Sequence, residues 1–155
     1  MTRPQRIVCA TDFSANANAA LDSAIELART FGATLQIVHV VEQPVLFGGE
    51  VTSAEFVRTM VELQQKHAQA ELAAACERCR NAGVSASSLL ELGTPAFALA
   101  ELSKQSDLIV MGTRGRTGFA HVFLGSVAER VLRLSHCPVL VVPQKGGAHT
   151  ASAAE

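Results

Sequence analysis

The sequence predicts an α/β fold, an open doubly wound sheet of five parallel strands with helices on both faces. Two observations predict it. Apolar runs rich in β-branched residues recur along the chain with little polar alternation, as strands do when both faces of a parallel sheet are covered. Between them the apolar residues fall at steps of three and four, the period of a helix buried on one side. Right-handed crossovers turn such a β-α-β-α-β-α-β-α-β order into a doubly wound sheet. At 155 residues the chain is about one domain long and can bury its own core.

The first strand is "RIVCA", residues 6–10. Helix one follows, with Ala17, Ala20, Leu21, Ala24, Ile25, Ala28 and Phe31 on its inner face and Gly32 where a C-cap belongs. "TLQIVHVV", residues 34–41, is the second strand, and "EQPVLFGGEVTS" is the one long loop. From about Ser53 to Asn81 a second helix places Phe56, Val57, Met60, Val61 and His67 on one side and ends at "NAG". "SASSLLEL" is a weak third strand. Thr94 as N-cap and Pro95 at the first helical position open a third helix that runs to about Ser106. "DLIVMG", residues 107–112, is the fourth strand; a fourth helix starts at Gly125-Ser126 with Val127, Val131 and Leu134 inward, and "CPVLVV", 137–142, is the last strand. The small-residue tail "QKGGAHTASAAE" is expected to be disordered.

Composition narrows the function. Thirteen basic against fourteen acidic residues leave a net charge of -1 and no basic stripe, which argues against a nucleic-acid partner. The N-terminus lacks a signal-peptide pattern and nowhere do about 18 apolar residues run together, so a cytoplasmic protein with no membrane partner is expected. Of four cysteines, only Cys76 and Cys79 have suggestive spacing; with no second ligand pair nearby they are expected to pack a helix rather than hold zinc.

The chemistry concentrates in "GTRGRTGFAHVFLGS", residues 112–126, which leaves the fourth strand and re-enters a helix. Doubly wound sheets bind ligands beyond the carboxyl ends of their strands, where the strand order reverses. There a loop with Gly112, Gly115 and Gly118 can turn several N–H groups toward one anion. Gly125 and Ser126 open a helix whose free N–H groups and positive dipole end also favour phosphate. The stretch contains no Walker lysine, and no G-x-G-x-x-G follows the first strand. At the end of that strand Asp12 either accepts hydrogen bonds from ribose or adenine or caps helix one. Arg114 and Arg116 either offset phosphate charge or face solvent.

Gly112-x2-Gly115-x9-Gly125-Ser126 resembles the G-2x-G-9x-G-[S/T] ATP-binding motif of universal stress proteins. "TDFS", "VHVVE", "DLIVMGTRGRTG", "LGSVAERVL" and "CPVLVV" are similar to other landmarks of that family, so the likeness runs from about Arg6 to Val142. The resemblance implies strand order 3-2-1-4-5 and a nucleotide-binding domain over residues 1–143, with 144–155 as its tail. It implies that Asp12 faces ribose and adenine, that Val40 offers backbone hydrogen bonds to adenine, and that Gly112 and Gly115 contact ribose and phosphates. Gly125, Ser126 and the Val127 amide would complete a triphosphate cradle for ATP, carried with Mg²⁺. It also implies a homodimer through Cys137–Val142, an apolar edge that invites pairing.

The function expected from these residues is a regulatory ATP-binding protein of the stress response with an unidentified protein partner. The alternatives are a slow ATPase and a dimeric scaffold indifferent to nucleotide. Hydrolysis needs a positioned water and charge stabilisation beyond a cradle. No carboxylate stands between Gly112 and Ser126, and His121 is the one conventional proton-transfer side chain there, so no catalytic residue is assigned.

Overall fold

The computed structural model describes residues 3–42, 54–114 and 124–143. Within them five strands and four helices alternate: β1 Arg6–Ala10, α1 Ala15–Phe31, β2 Thr34–Val41, α2 Ala54–Asn81, β3 Ala86–Leu92, α3 Pro95–Ser103, β4 Leu108–Gly112, α4 Ser126–Leu134 and β5 Val139–Val142. The strands are all parallel, in the order β3-β2-β1-β4-β5. The order reverses at β1, which pairs with β2 on one side and β4 on the other; Cys9 stands opposite both Ile37 and Val110.

Alternation along β1 divides the core in two. Ile7 and Cys9 face α1 and α2, packing with Ala20, Leu21, Ala24, Leu72, Cys76 and Cys79. Val8 faces the opposite way, against α3 and α4, where Ala96, Leu99, Ala128 and Val131 meet Val38 and Ile109. Small residues dominate the inner face of α1, so that helix can lie close to the sheet. Gly32 ends it at φ 64° and donates its N–H to the Ala28 carbonyl, a left-handed cap that costs glycine least.

Four details depart from the sequence pattern. In α2 the buried residues are Ala68, Leu72, Cys76 and Cys79, while Phe56, Met60 and His67 are exposed and Val57 and Val61 only half-buried. The cause is length: 28 residues of helix span about 42 Å, whereas the eight residues of β2 span about 26 Å, so the N-terminal half of α2 runs on past the sheet that would bury it. In α4 only Ala128 and Val131 are buried; Val127 lies in the first turn, beside the cleft, and Leu134 at the helix end, and both are exposed. The third helix ends at Ser103 rather than Ser106, and the Thr94 hydroxyl makes no capping hydrogen bond, leaving Pro95 as the main start signal. Finally, the fourth and fifth strands begin at Leu108 and Val139, one and two residues later than their apolar runs.

Cys9 of β1 and Cys76 and Cys79 of α2 meet in one core cluster, all unpaired and buried, as the packing reading of the Cys76/Cys79 pair anticipates. Burial, reinforced by the neighbouring thiol, pushes Cys9 from the ordinary 9.0 up to about 12 and Cys79 up to about 11. Unfolded thiols ionise near pH 9 while these keep their protons, so the unfolded state binds fewer protons between about pH 9 and 11 and stability falls as pH rises. The slope is about 1.4 kcal/mol per pH unit for each fully protected thiol. We expect the urea midpoint to drop between pH 8 and about 10.5, and Cys9→Ala to make that drop smaller. An equal drop in parent and variant would remove Cys9 as the cause.

Candidate functional site

At the carboxyl edge of the sheet, β1 and β4 end side by side and their chains turn to opposite faces. After Ala10 the ladder continues for one bond, Thr11 N–H to the Val38 carbonyl at 2.9 Å, and the chain then folds into a turn. The Thr11 hydroxyl accepts from the Phe13 N–H at 3.0 Å and Asp12 Oδ1 accepts from the Ser14 N–H at 3.0 Å. Ser14 is the N-cap of α1, its Oγ accepting from the Ala17 N–H at 3.2 Å. Asp12 is therefore not the cap; it braces the turn before it, with its side chain at the cleft. Phe13, at φ 64°, is the one non-glycine residue with positive φ among the described residues.

On β2 the hydrogen-bond parity fixes what Val40 presents. In a parallel strand alternate residues direct both backbone groups to the same neighbour. Leu35 and Val41 bond toward the β3 side, through Ser85 and Gly93, and Val38 bonds toward β1. By that alternation the N–H and C=O of Val40 point to the β1 side, beyond the last β1 residue, into the opening.

The other half of the site comes from β4 and α4. Gly112 has ordinary φ; its need for glycine lies in packing. A Cβ there would stand 3.0 Å from the Asn16 carbonyl carbon and 3.1 Å from Asn16 Cβ, so the end of β4 touches the first turn of α1 directly. Thr113 ties the end of the strand on both sides: its N–H donates to the Val142 carbonyl at 3.1 Å, and its carbonyl accepts from the Gly125 N–H at 2.7 Å. Gly125, extended at φ -75° and ψ 159°, is the N-cap of α4, and its carbonyl accepts the first helical bond from Glu129 at 2.9 Å. The amides of Ser126, Val127 and Ala128 precede that bond and have no acceptor within the helix.

These elements surround one cleft of about 850 Å³, within the roughly 300 to 1,000 Å³ usual for small-molecule sites. Asp12, Val40, Gly112, Gly125, Ser126 and Val127, six of the seven residues singled out in the sequence, line it together. Gly115, the seventh, lies outside the described residues, as do Gly118, Arg116 and His121. Arg114 lines the cleft as well.

Sequence reasoning missed the wall opposite α4. Phe13, His39, Leu63, Gln64 and His67 all border the cleft. The Phe13 ring lies 4.5 Å from that of His39, tilted by 32°, and 6.2 Å edge-on from that of His67. Phe13 and His39 had a local signal, since they flank Asp12 and Val40 in sequence. Leu63, Gln64 and His67 arrive only because α2 outruns the sheet, a tertiary fact with no motif. The floor of the cleft is apolar, with Val38, Leu99 and Met111. One end carries the helix N-terminus and the other carries aromatic rings. Chemically, that arrangement suits a flat ring at one end and an anion at the other.

Among the described residues no three His, Cys, Asp or Glu side chains gather as a metal site, and no helix is long and apolar enough to cross a membrane.

Comparison with known proteins places the chain. The model of the universal stress protein family matches residues 4–143. Universal stress protein MJ0531 of Methanocaldococcus jannaschii is 36% identical over 140 residues, covering 89% of this chain and 81% of the relative. Among solved structures, the hypothetical protein MJ0577 superposes with a TM-score of 0.82 at 25% identity, over 94% of this chain and all of the other. A universal stress protein in complex with cAMP superposes with a TM-score of 0.69 at 27% identity, over 92% of this chain and 99% of the other. One from Archaeoglobus fulgidus in complex with dAMP does so at 0.62 and 25%, over 91% and 99%.

Proposed function

The chain belongs to the universal stress protein family, and from that premise we propose that it is an ATP-binding regulatory protein of the stress response. The observation that carries the reading is the convergence of Asp12, Val40, Gly112, Gly125, Ser126 and Val127 on one cleft at the point where strand order reverses. Two structural relatives hold adenine nucleotides, cAMP in one and dAMP in the other.

In this reading adenine lies toward β2, where Val40 presents both backbone groups and Asp12 meets the ribose side. Phosphates lie toward α4, on the amides of Ser126 and Val127 and the Ser126 hydroxyl, with Gly112 forming the near wall; the family motif adds Gly115 as a further contact of ribose and phosphates. A helix N-terminus favours an anion by about 0.3 to 1 kcal/mol per group, and more when partly buried. Mg²⁺ would enter with the triphosphate, held by its oxygens rather than by a protein cage. ATP is the nucleotide proposed because Gly112-x2-Gly115-x9-Gly125-Ser126 resembles the ATP-binding motif of the family.

Two further parts belong to the reading. A homodimer would form through Cys137–Val142, along β5, the end strand of the sheet, where Leu140 is exposed. The cytoplasm suits a chain whose four cysteines are all unpaired. The nucleotide-bound form would be the state that a protein partner recognises.

The test is to denature freshly purified protein and identify the released small molecules by mass spectrometry, then to titrate the stripped protein with Mg-ATP. At 100 times the dissociation constant, ATP is expected to add about 2.7 kcal/mol, which raises the melting temperature by roughly 5 to 11 °C for a chain of this size. Release of intact ATP indicates holding rather than turnover; ADP in its place shifts the weight to hydrolysis. Neither nucleotide nor thermal shift would end the reading in favour of a scaffold.

A further inference from the structure

Phe13 is held where its type rarely goes. A bulky side chain at φ 64° is a backbone outlier that persists only when its surroundings impose it, and such residues gather at ligand clamps. What imposes it here comes from the neighbouring strand. His39 Nδ1 lies 2.8 Å from the Thr11 carbonyl oxygen. A carbonyl only accepts, so Nδ1 carries the proton and donates. The same imidazole packs against the Phe13 ring at 4.5 Å. One side chain of β2 thus grips the turn at both ends, by a hydrogen bond before Asp12 and by a ring contact after it. Asp12 stands between those two grips, and its Oδ1 accepts from the Ser14 N–H just past the second.

We infer that His39 is a positioning residue of the cleft: through Thr11 and Phe13 it holds the turn in its left-handed form and so aims Asp12 at the ligand. The inference rests on the nucleotide reading for what Asp12 meets, but the clamp itself exists without ligand. His39 lines the cleft, yet its work is done through the backbone of its neighbours. Gly112 confines the same turn from the other side, by backing onto Asn16 just beyond it. The turn is therefore fixed by β2 and β4 together, while α1 grows out of it.

A left-handed residue can be supplied in another way. Asparagine visits positive φ far more readily than phenylalanine, so Phe13→Asn should make the clamp dispensable. The experiment compares wild type, His39→Ala and His39→Ala/Phe13→Asn, each with and without Asp12→Asn. Backbone chemical shifts of residue 13 and exchange of the Ser14 amide are read without nucleotide, and ATP affinity is read by calorimetry.

In His39→Ala we expect residue 13 to leave the left-handed region, Ser14 exchange to speed up at least tenfold and ATP affinity to fall about tenfold. Asp12→Asn should then cost nothing further, because its aim is already lost. Adding Phe13→Asn should restore the left-handed shifts and the penalty for Asp12→Asn. A purely structural role for His39 predicts instead that the second substitution compounds the first. Unchanged shifts and Ser14 exchange in His39→Ala would overturn the inference whatever the nucleotide does. A wild type that binds no adenine nucleotide would overturn the nucleotide reading and, with it, the aim assigned to Asp12.

Discussion

Ser126→Asp is expected to remove ATP binding from a protein that remains as stable as its parent or becomes slightly more stable. Ser126 is the first residue of α4, whose opening amides have no helical acceptor. A carboxylate there suits the helix, since a negative side chain in the first turn contributes about 0.3 to 1 kcal/mol through the dipole. The same carboxylate occupies the place proposed for phosphate. Two unit charges about 4 Å apart repel by about 4 kcal/mol at an effective dielectric of 20. That corresponds to nearly three orders of magnitude in affinity, before the lost hydroxyl donor is counted. Calorimetry with Mg-ATP beside a thermal melt checks both halves. If affinity survives within tenfold of wild type, phosphate is not bound at α4 and the ligand orientation must be reversed or abandoned.

Gly112→Ala should harm both fold and site. The added methyl would meet backbone, at 3.0 Å from the Asn16 carbonyl carbon, and backbone in the first turn of a helix cannot rotate out of the way as a flexible side-chain tip can. Overpacking of this kind costs about 1 to 3 kcal/mol, or roughly 2 to 12 °C in melting temperature for a chain of this size. The strain is relieved by moving α1 away from β4, which separates the Asp12 turn from the helix start at Ser126. Nucleotide affinity is therefore expected to fall about tenfold or more beyond what the stability loss explains, measured well below the melting point. A variant that melts like wild type would mean that α1 yields easily and that Gly112 serves the ligand alone.

The fold was legible because its signals are local and repeated. "RIVCA" and "DLIVMG" are apolar at successive positions, and only a strand covered on both faces asks for that; the split of Ile7 and Cys9 from Val8 is the structural counterpart. Gly125 and Ser126 could be read as a helix start from the backbone alone, and α4 begins there; Gly112 reads in the sequence as bare backbone for a ligand, and what comes close to it in the structure is Asn16 of α1. What could not be read depends on element length and on distance in sequence. The apolar residues Phe56 and Met60 have helical spacing, and spacing alone does not say whether a sheet lies beneath them. Of the two readings of Asp12 the structure removes one, the cap, which Ser14 takes; Asp12 lines the cleft. His67 reaches Phe13 across 54 positions of sequence, and no short pattern records such a meeting.

The overrun of α2 separates two jobs that most helices must combine. Its anchor is Ala68, Leu72, Cys76 and Cys79, sunk in the core, while Leu63 and Gln64, which border the cleft, stand on a stretch with no fully buried residue. Replacing a core residue is constrained by volume, because interiors are close-packed; replacing Leu63 or Gln64 meets no such constraint. The wall of the cleft can thus be rewritten at little risk to the fold, while the backbone cradle opposite stays as it is. Such a protein is free to change which ligand it prefers without first acquiring stability to spare.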